Sequence, residues 1–354
     1  MNPLHELFMP AALGALVARF AEQSHDRSFW NVYEGGQKID ANVDGTFKWD
    51  QVRYSRDLAP LTGVDDPSTA NKRMGITTKA GNVVSIKQHV DLPARFLEGF
   101  RAPGQEGPDA AAVVANETRN LTNKVMRTLN YWAAKSLLTT SGVVDLAAVP
   151  NSKIVSGSLT YPVQSLSRLT TWTAASTKIR SAEINPLRKT YRQKAGIRPG
   201  VVIGSSTVEG NMTGNTELKE FFAEGTLAAL LLQRSFEEGA SIRLGDMDWS
   251  FVDDSYFADS AEDTAVEVNS DLAKLAVLPE RALWNEAFAL VSGVQFVPNG
   301  PAGLMNAQAG YSQVRGFGSY VTLETDPVGL RLHVFWTGML VQKMVNGVMV
   351  YDTD

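Results

Sequence analysis

Between Gly107 and Gly142 the chain has no glycine, and after Pro108 it has no proline. Pro108 and Asp109 suit the first turn of a helix, because proline has no amide to lose there and a carboxylate faces the positive helix end. Val114, Leu121, Val125, Leu129 and Trp132 recur at steps of seven, four, four and three, which aligns them as one apolar stripe. Glu117, Asn120, Asn123, Lys124 and Arg127 occupy much of the remainder. A helix over Pro108–Leu138 would be roughly 40 to 45 Å long at 1.5 Å per residue, well beyond the usual three or four turns. So long a rod with one apolar side predicts a strut laid against something flat. Gly142 marks its latest plausible end.

The 354 residues allow a substantial core and two compact lobes, and 44% hydrophobic with 20% charged residues belong to an ordered chain. A formal charge of -5 gives no general reason to expect tight nucleic-acid binding. Basic residues do gather at Lys178, Arg180, Arg188, Lys189, Arg192, Lys194 and Arg198, a solvated helix face capable of weak, sequence-independent contact with a polyanion. Tyr191 interrupts that cluster, and no aromatic platform, zinc finger or helix-turn-helix pattern accompanies it. The absence of cysteine removes disulfides, thiolate metal sites and cysteine nucleophiles together. The apolar run Ala11–Ala18 lacks the basic flank and cleavage pattern of a secretory signal and is too short to span a bilayer, so no membrane role is expected and the protein is expected inside a cell, or in something assembled there.

Read in order, Leu4, Leu7, Phe8, Leu13, Leu16, Val17 and Phe20 form an amphipathic arm broken by Pro10, and Phe29, Trp30 and Val32 follow. That apolar surface must be covered, either by the chain's own body or by a neighbour. Thr46–Tyr54 alternates as a strand; Asp57–Gly81 is rich in turn residues; Val83, Val84, Ile86, Val90 and Leu92 resume a strand. This predicts a long two-stranded excursion with little of its own to pack against at the tip, and two strands alone are marginally stable. Lys153–Leu159 reads as a short strand, ended by Pro162. A second helical region is expected from Trp172 to Lys194, kinked or restarted at Pro186 and closed by Gly196, before a buried strand ending at Ile203. Short helices are expected at Asn215–Ala223 and Thr226–Phe236, and strands at Ile242–Leu244, Trp249–Val252 and Leu275–Leu278, with Asp253–Asp271 a surface excursion. Gly293–Gly310 reads as a loop, Tyr320–Tyr351 is strand-like, and Gly347 suggests a tight turn in a final hairpin.

The sequence offers little for catalysis. His5, His25, His89 and His333 are scattered and lack metal-site spacing, and the pairs Asp246/Asp248 and Asp253/Asp254 lack the glycine and glutamate of a calcium loop. The glycines of Gly196–Gly204 follow a helix and precede a strand, the reverse of a phosphate loop, and no G-x-S-x-G elbow is present. No catalytic, cofactor-binding or metal residue is assigned, and the expected chain is not an enzyme.

The order of elements, namely arm, long hairpin, spine helix, mixed second lobe and returning strands, resembles tailed-phage major capsid proteins of the HK97-like fold, an α+β architecture. The most specific local similarity is Ile184–Gly204, INPLRKTYRQKAGIRPGVVIG, a helix ending in glycine followed by a proline-containing turn and a buried apolar strand. Glu217–Phe222 and Leu227–Phe236 match the next helices of that lobe, and the lambda-like major capsid branch is a plausible subgroup.

That resemblance implies an N-terminal arm over residues 1–45, an E-loop over 46–98 and a peripheral domain over 99–185 containing the spine helix 108–138. It further implies an axial domain over 186–288 and a return to the peripheral domain over 289–354. It implies a shell protein self-assembling as pentamers and hexamers around a double-stranded DNA phage genome, located in the virion capsid and assembled in the host cytoplasm. The partners implied are copies of the chain itself, a separate scaffolding protein, a portal protein, possible decoration by a further protein, and non-specific contact with packaged DNA. Phe47, Trp49, Lys72 and Lys79 are the loop residues expected near neighbouring subunits, and Val125, Leu129 and Trp132 the structural spine contacts. Family members that crosslink use an E-loop lysine and a neighbour's asparagine; Lys72 and Lys79 lie in the loop, but no motif selects a partner, so noncovalent stabilisation is expected. The rival readings are an encapsulin-like compartment, a soluble α/β enzyme with a pocket around Asp246–Asp254, and a tail or other non-shell structural protein.

Overall fold

The computed structural model describes residues 10–24, 28–54, 75–93, 108–149, 153–154, 156–166, 171–223, 242–244, 246–252, 255–257, 265–267, 274–298, 311–325 and 328–353. The chain opens with α1 (Pro10–Gln23) and α2 (Trp30–Glu34), then β1 (Gln37–Asp40), the ribbon β2 (Thr46–Arg53) and β3 (Gly75–Asn82), and β4 (Val84–Pro93). The spine helix α3 (Pro108–Leu138) follows, then β5 (Val143–Asp145), β6 (Ser158–Thr160) and β7 (Val163–Leu166). A π-helical stretch, Ile179–Ile184, runs into α4 (Asn185–Ala195), and β8 (Pro199–Gly204), α5 (Ser206–Gly214) and α6 (Thr216–Ala223) come next. The remaining elements are β9 (Ile242–Leu244), β10 (Met247–Phe251), β11 (Ser255–Phe257), β12 (Ala265–Glu267), β13 (Lys274–Pro279), α7 (Trp284–Ala287), β14 (Phe288–Ser292), β15 (Val294–Pro298), β16 (Tyr311–Thr325), β17 (Val328–Gln342) and β18 (Val348–Asp352).

Two six-stranded sheets organise these elements. In the first, the order is β1-β14-β17-β16-β15, with β4 pairing the earlier half of β17 beside β14; in the second it is β7-β18-β13-β8-β10-β9. The spine helix has 31 residues, about 46 Å at 1.5 Å each. Its expected stripe of Val114, Leu121, Val125, Leu129 and Trp132 is buried throughout, against Leu330, Leu332, Val334 and Trp336 of β17 among others. The one-sided strut holds only for its earlier part, however. From Leu129 to Ala134 every residue is buried, because this end also meets β13 and β18 of the second sheet. Polar residues complete the packing in the earlier part: Thr118 and Thr122, both fully buried, turn their hydroxyls back onto the carbonyls four residues earlier, each at 2.7 Å.

The second sheet is covered on its other face by the helices of its own lobe. Leu187, Tyr191 and Ala195 of α4, at steps of four, pack with Val202, Val277, Met349 and Trp249. Pro186 lies in the first turn of α4, where its missing amide is harmless, and Gly196 ends that helix in the left-handed conformation, φ 79°, donating to the Arg192 carbonyl at 3.1 Å. All six residues of β8 are buried, since the strand has β13 and β10 on its flanks and apolar layers on both faces.

Several expectations require correction, among them the loop expected from Gly293, where β15 (Val294–Pro298) forms and pairs β16 instead. The second helical region begins at Ile179, not Trp172; Trp172 is a core residue in a turn, its amide bound to the Thr353 carbonyl at 3.1 Å and its ring 5.8 Å from that of Tyr351. The return strand of the long ribbon is β3, Gly75–Asn82, while Val84 onward belongs to the first sheet through β4. No final hairpin forms across Gly347: β17 lies in the first sheet and β18 in the second, where it pairs β13 and β7. The last strand therefore does not stay with the first lobe. Finally, the helix from Ser206 to Gly214 was not anticipated. The proposed Thr226–Phe236 helix lies outside the described residues.

Candidate assembly surfaces

A chain that builds a lattice must complete its own core and still leave defined edges open, so each limb can be tested for what covers it. From Pro10 onward the described part of the amino-terminal segment is covered by its own body, while Leu4, Leu7 and Phe8 lie outside the described residues. Leu13, Val17, Phe29, Trp30 and Tyr33 are buried, with the Trp30 ring edge-on to Trp336 at 5.7 Å. Asn130, fully buried on the spine helix, accepts the amides of Phe29 and Trp30 at 2.9 and 3.1 Å, so one side chain satisfies the start of α2. Tyr33, Ser136 and Gln342 form a second buried junction: the two hydroxyls lie 2.6 Å apart, and Gln342 donates to Tyr33 at 3.1 Å and to the Ser136 carbonyl at 3.0 Å. Burial holds the Tyr33 phenol well above its ordinary range, so it stays neutral.

The β2–β3 ribbon is held along one side only. At its root, Asp44 accepts from the Thr46 hydroxyl at 2.7 Å and from the Thr46 amide at 2.9 Å, and these two bonds, the hydroxyl's first, keep the Asp44 carboxyl below the usual carboxylate range. Phe47, 3% exposed, stacks on Trp49 with centroids 5.2 Å apart, and a Cβ on Gly81 would stand only 3.1 and 3.2 Å from the two rings, tighter than ordinary contact. Further out, Val52 donates to the Lys343 carbonyl at 2.7 Å and accepts from the Val345 amide at 2.9 Å. Tyr54 donates to the Glu286 carboxylate, and burial followed by that bond pushes its phenol up to about 12. The opposite strand has no such support: Gly75 to Ala80 of β3 are all exposed, Ile76 at 61%, and among the described residues β3 pairs with β2 alone.

The four loop residues singled out in the sequence therefore separate. Phe47 is internal and anchors the ribbon, Trp49 is half-buried beside it, Lys79 is exposed on the free strand, and Lys72 lies outside the described residues. Val125, Leu129 and Trp132 come together in the first core; the Trp132 indole N–H donates to the Tyr161 hydroxyl at 3.1 Å, and its ring stands edge-on to Trp336 at 6.0 Å. Asn130, whose polarity argued against a core position, was missed by periodicity.

On the face of the first sheet turned away from the spine helix, His333 of β17 is paired across the strands with His89 of β4, ring centroids 5.6 Å apart, and stacks on Tyr320 at 4.4 Å. Burial and the neighbouring His89 pull the His333 pKa down to about 4. Beside it Arg331 binds Asp91 at 2.5 Å and holds that carboxyl below its usual range. An open polar groove lies between His89 and Val90 on β4 and Glu117, Asn120, Lys124 and Arg127 on the spine. At the suggested enzyme pocket, Asp246 is bound by Arg188 at 2.6 Å in an exposed turn, and Asp253 and Asp254 lie outside the described residues.

No protein-family model and no curated protein sequence matches the chain. Solved structures do. A protein described as the capsid protein of an Escherichia coli CFT073 prophage is 14% identical with a TM-score of 0.51, over 79% of this chain and 80% of the other. A phage-related protein from Bordetella bronchiseptica RB50 is 8% identical with a TM-score of 0.53, over 98% of this chain and 97% of the other. The chain has the α+β fold of HK97-like capsid proteins.

Proposed function

We propose that this chain is the major capsid protein of a tailed phage, a structural protein that assembles as pentamers and hexamers into an icosahedral shell around double-stranded DNA. The observation that carries the reading is the outer edge of β3, which no strand pairs among the described residues. A strand edge with exposed backbone groups and an exposed Ile76 is a template for pairing, and a protein that works alone ordinarily blunts or covers it. A shell subunit needs such an edge, because its lattice closes through contacts that each copy both offers and receives. Fold likeness by itself assigns no function, so the edge and the fold are needed together.

In this reading the spine helix and the first sheet make a stiff plate, and the ribbon, anchored at Phe47 and Val52, reaches to a neighbour. The subunit forms rings with copies of itself, meets a separate scaffolding protein and a portal protein during assembly in the host cytoplasm, and touches packaged DNA without sequence preference. Stabilisation of the finished shell is noncovalent, or comes from a decoration protein. The chain carries out no catalysis. Sedimentation and negative-stain imaging of the protein expressed with a scaffold test this directly. Closed shells protecting DNA from nuclease are expected. Shells enclosing an enzyme would replace the reading with a cargo compartment, tubes of one symmetry with a tail protein, and a discrete monomer would end it.

A further inference from the structure

From Lys178 to Arg198 there are seven lysines and arginines and one carboxylate, Glu183, which is 2% exposed and bound to the Tyr351 hydroxyl. The fold turns these cations outward, and it uses an uncommon helical turn to do so. Resting on the shell reading above, we infer that the outer side of α4, with the π-helical turn before it, is where the subunit holds the phosphate backbone of duplex DNA.

Leu187, Tyr191 and Ala195 turn one side of α4 into the core. That leaves Lys189 at the centre of the outer side, Arg188 and Arg192 half-buried along one flank, Lys194 exposed on the other, and Lys178 and Arg198 exposed at the two ends. Arg180 precedes Leu187 by seven residues, close to two turns of an α-helix, so α-helical winding between them would aim it into the core. The stretch Ile179–Ile184 is wound more widely, with the Asn185 amide donating to the Arg180 carbonyl five residues earlier; Ile179, Glu183 and Ile184 go inward and Arg180 comes out exposed. Such turns are rare and recur at functional sites. Two carboxylates reach the cluster from other elements: Asp246 binds Arg188 at 2.6 Å, and Glu217 of α6 accepts from the Arg180 and Ser181 amides at 2.8 and 3.3 Å. Lys178, Lys189, Lys194 and Arg198 remain as exposed cations that no described carboxylate pairs.

The chemistry of this face selects its partner. A protein interface has an apolar or aromatic centre, whereas no large apolar side chain is exposed between Trp172 and Gly204 among the described residues. Single-stranded nucleic acid is held by aromatic rings on which bases stack, and the one aromatic within the cluster, Tyr191, is buried with its hydroxyl donating to the Gly347 carbonyl at 2.7 Å. What the face offers is long cationic side chains beside the exposed amides of Asn185 and Gln193, which suit phosphate oxygens and read no bases. The rest of the chain carries the acidic excess that brings the total to -5, so its field turns a duplex away from other surfaces and towards this one. Each contact is weak and salt-sensitive, and many copies in one shell add them together.

The test titrates the unassembled full-length chain into fluorescent duplexes of two unrelated sequences, between about 0.05 and 0.2 M salt. Similar affinity for both sequences is expected. A face variant carrying K178Q, K189Q, K194Q and R198Q should bind about tenfold more weakly or worse at the lower salt, with the slope of log affinity against log salt reduced by about 2 to 4. K178R with K189R and K194R keeps the charges and should bind as the native chain does. A control that loses four exposed cations elsewhere, K48Q, R53Q, K87Q and K124Q, should keep the native slope. A native slope in the face variant, or an equal loss in the control, overturns the inference. Should circular dichroism show the face variant misfolded, acetylation of the native chain with and without duplex decides the matter. Shielding of Lys178, Lys189 and Lys194 but not of Lys48 and Lys87 is expected, and uniform labelling refutes the site. Negative-stain imaging of the same proteins expressed with a scaffold tests the shell reading separately. Closed native shells together with duplex binding that ignores the face variant leave that reading intact and overturn the inference. Duplex binding through this face by a chain that never closes shells keeps the phosphate site and overturns the shell reading. A face variant that stops assembling while its duplex binding is unchanged gives the face to a protein contact and overturns the inference.

Discussion

Replacing Trp132 by alanine should destabilise the unassembled subunit by about 4 to 5 kcal/mol. The ring is 2% exposed and sits where the spine helix crosses β17. Truncating a buried tryptophan to alanine costs about 3 to 5 kcal/mol through lost transfer energy and the cavity left behind. Two further losses push this site toward the upper part of that range. The indole N–H that donates to Tyr161 at 3.1 Å disappears, leaving a buried hydroxyl short of a partner, worth about 1 kcal/mol. The edge-on contact with Trp336 at 6.0 Å contributes about 0.5 to 1 kcal/mol, and because these effects share one cavity they do not simply add. Set against a total stability of about 5 to 15 kcal/mol, the variant should be close to unfolding. Urea denaturation followed by far-ultraviolet circular dichroism gives the difference directly, and Trp132→Phe, which keeps most of the packing and loses the hydrogen bond, should lie well below it. A loss under about 1 kcal/mol for Trp132→Ala, with an unchanged denaturant slope, would show that this contact does not join helix and sheet.

Asn130→Ala removes the acceptor shared by the Phe29 and Trp30 amides and should cost about 2 to 3 kcal/mol, with hydrogen exchange at both amides speeding up well before global unfolding. Unaltered exchange there would mean that another group holds α2. His333 titrates near pH 4 in the folded chain and near 6.5 when unfolded, so the unfolded chain binds more protons between those values; its contribution to stability is complete above 6.5 and lost as pH falls toward 4. For a half-exposed ring this amounts to about 1 to 2 kcal/mol, and His333→Gln should flatten that part of the stability profile; parallel profiles for both proteins would contradict it. Ile76→Lys should leave subunit stability within about 0.5 kcal/mol, because the side chain is exposed, yet reduce shell yield; normal shells by negative stain would remove the β3 edge from the assembly account.

What the sequence made legible followed from period and punctuation. The spine helix carries its stripe at helical steps without an interrupting glycine, and the Gly196-to-Gly204 stretch places a left-handed cap and a fully buried strand where glycine, proline and valine require them. Where an apolar pattern has no alternation, the sheet it enters is not encoded locally. Val348 to Tyr351 are buried on both faces, so nothing in them distinguishes a hairpin with β17 from insertion between β7 and β13. Polar residues misled in the opposite sense. Gly75–Asn82 has one large apolar residue and overlaps the turn-rich Asp57–Gly81 span, although it pairs along its whole length with β2, and Asn130, Thr118 and Thr122 are buried because their polar atoms find backbone partners at hand. The resemblance places Phe47 in a loop near neighbouring subunits, but Gly81 opposite it makes room for the ring inside. The amino-terminal arm could have been covered by self or neighbour, and only the contacts of Trp30 with Trp336 and of its amide with Asn130 decide for self from Pro10 onward.

The most direct measurement is a cryo-electron microscopy map of assembled particles, read along Gly75–Asn82. Backbone or side-chain density from an adjacent subunit against that strand, repeated at five-fold and six-fold positions, is the expected result. A strand facing only solvent in an intact shell would contradict the claim that this edge is where one copy is completed by the next.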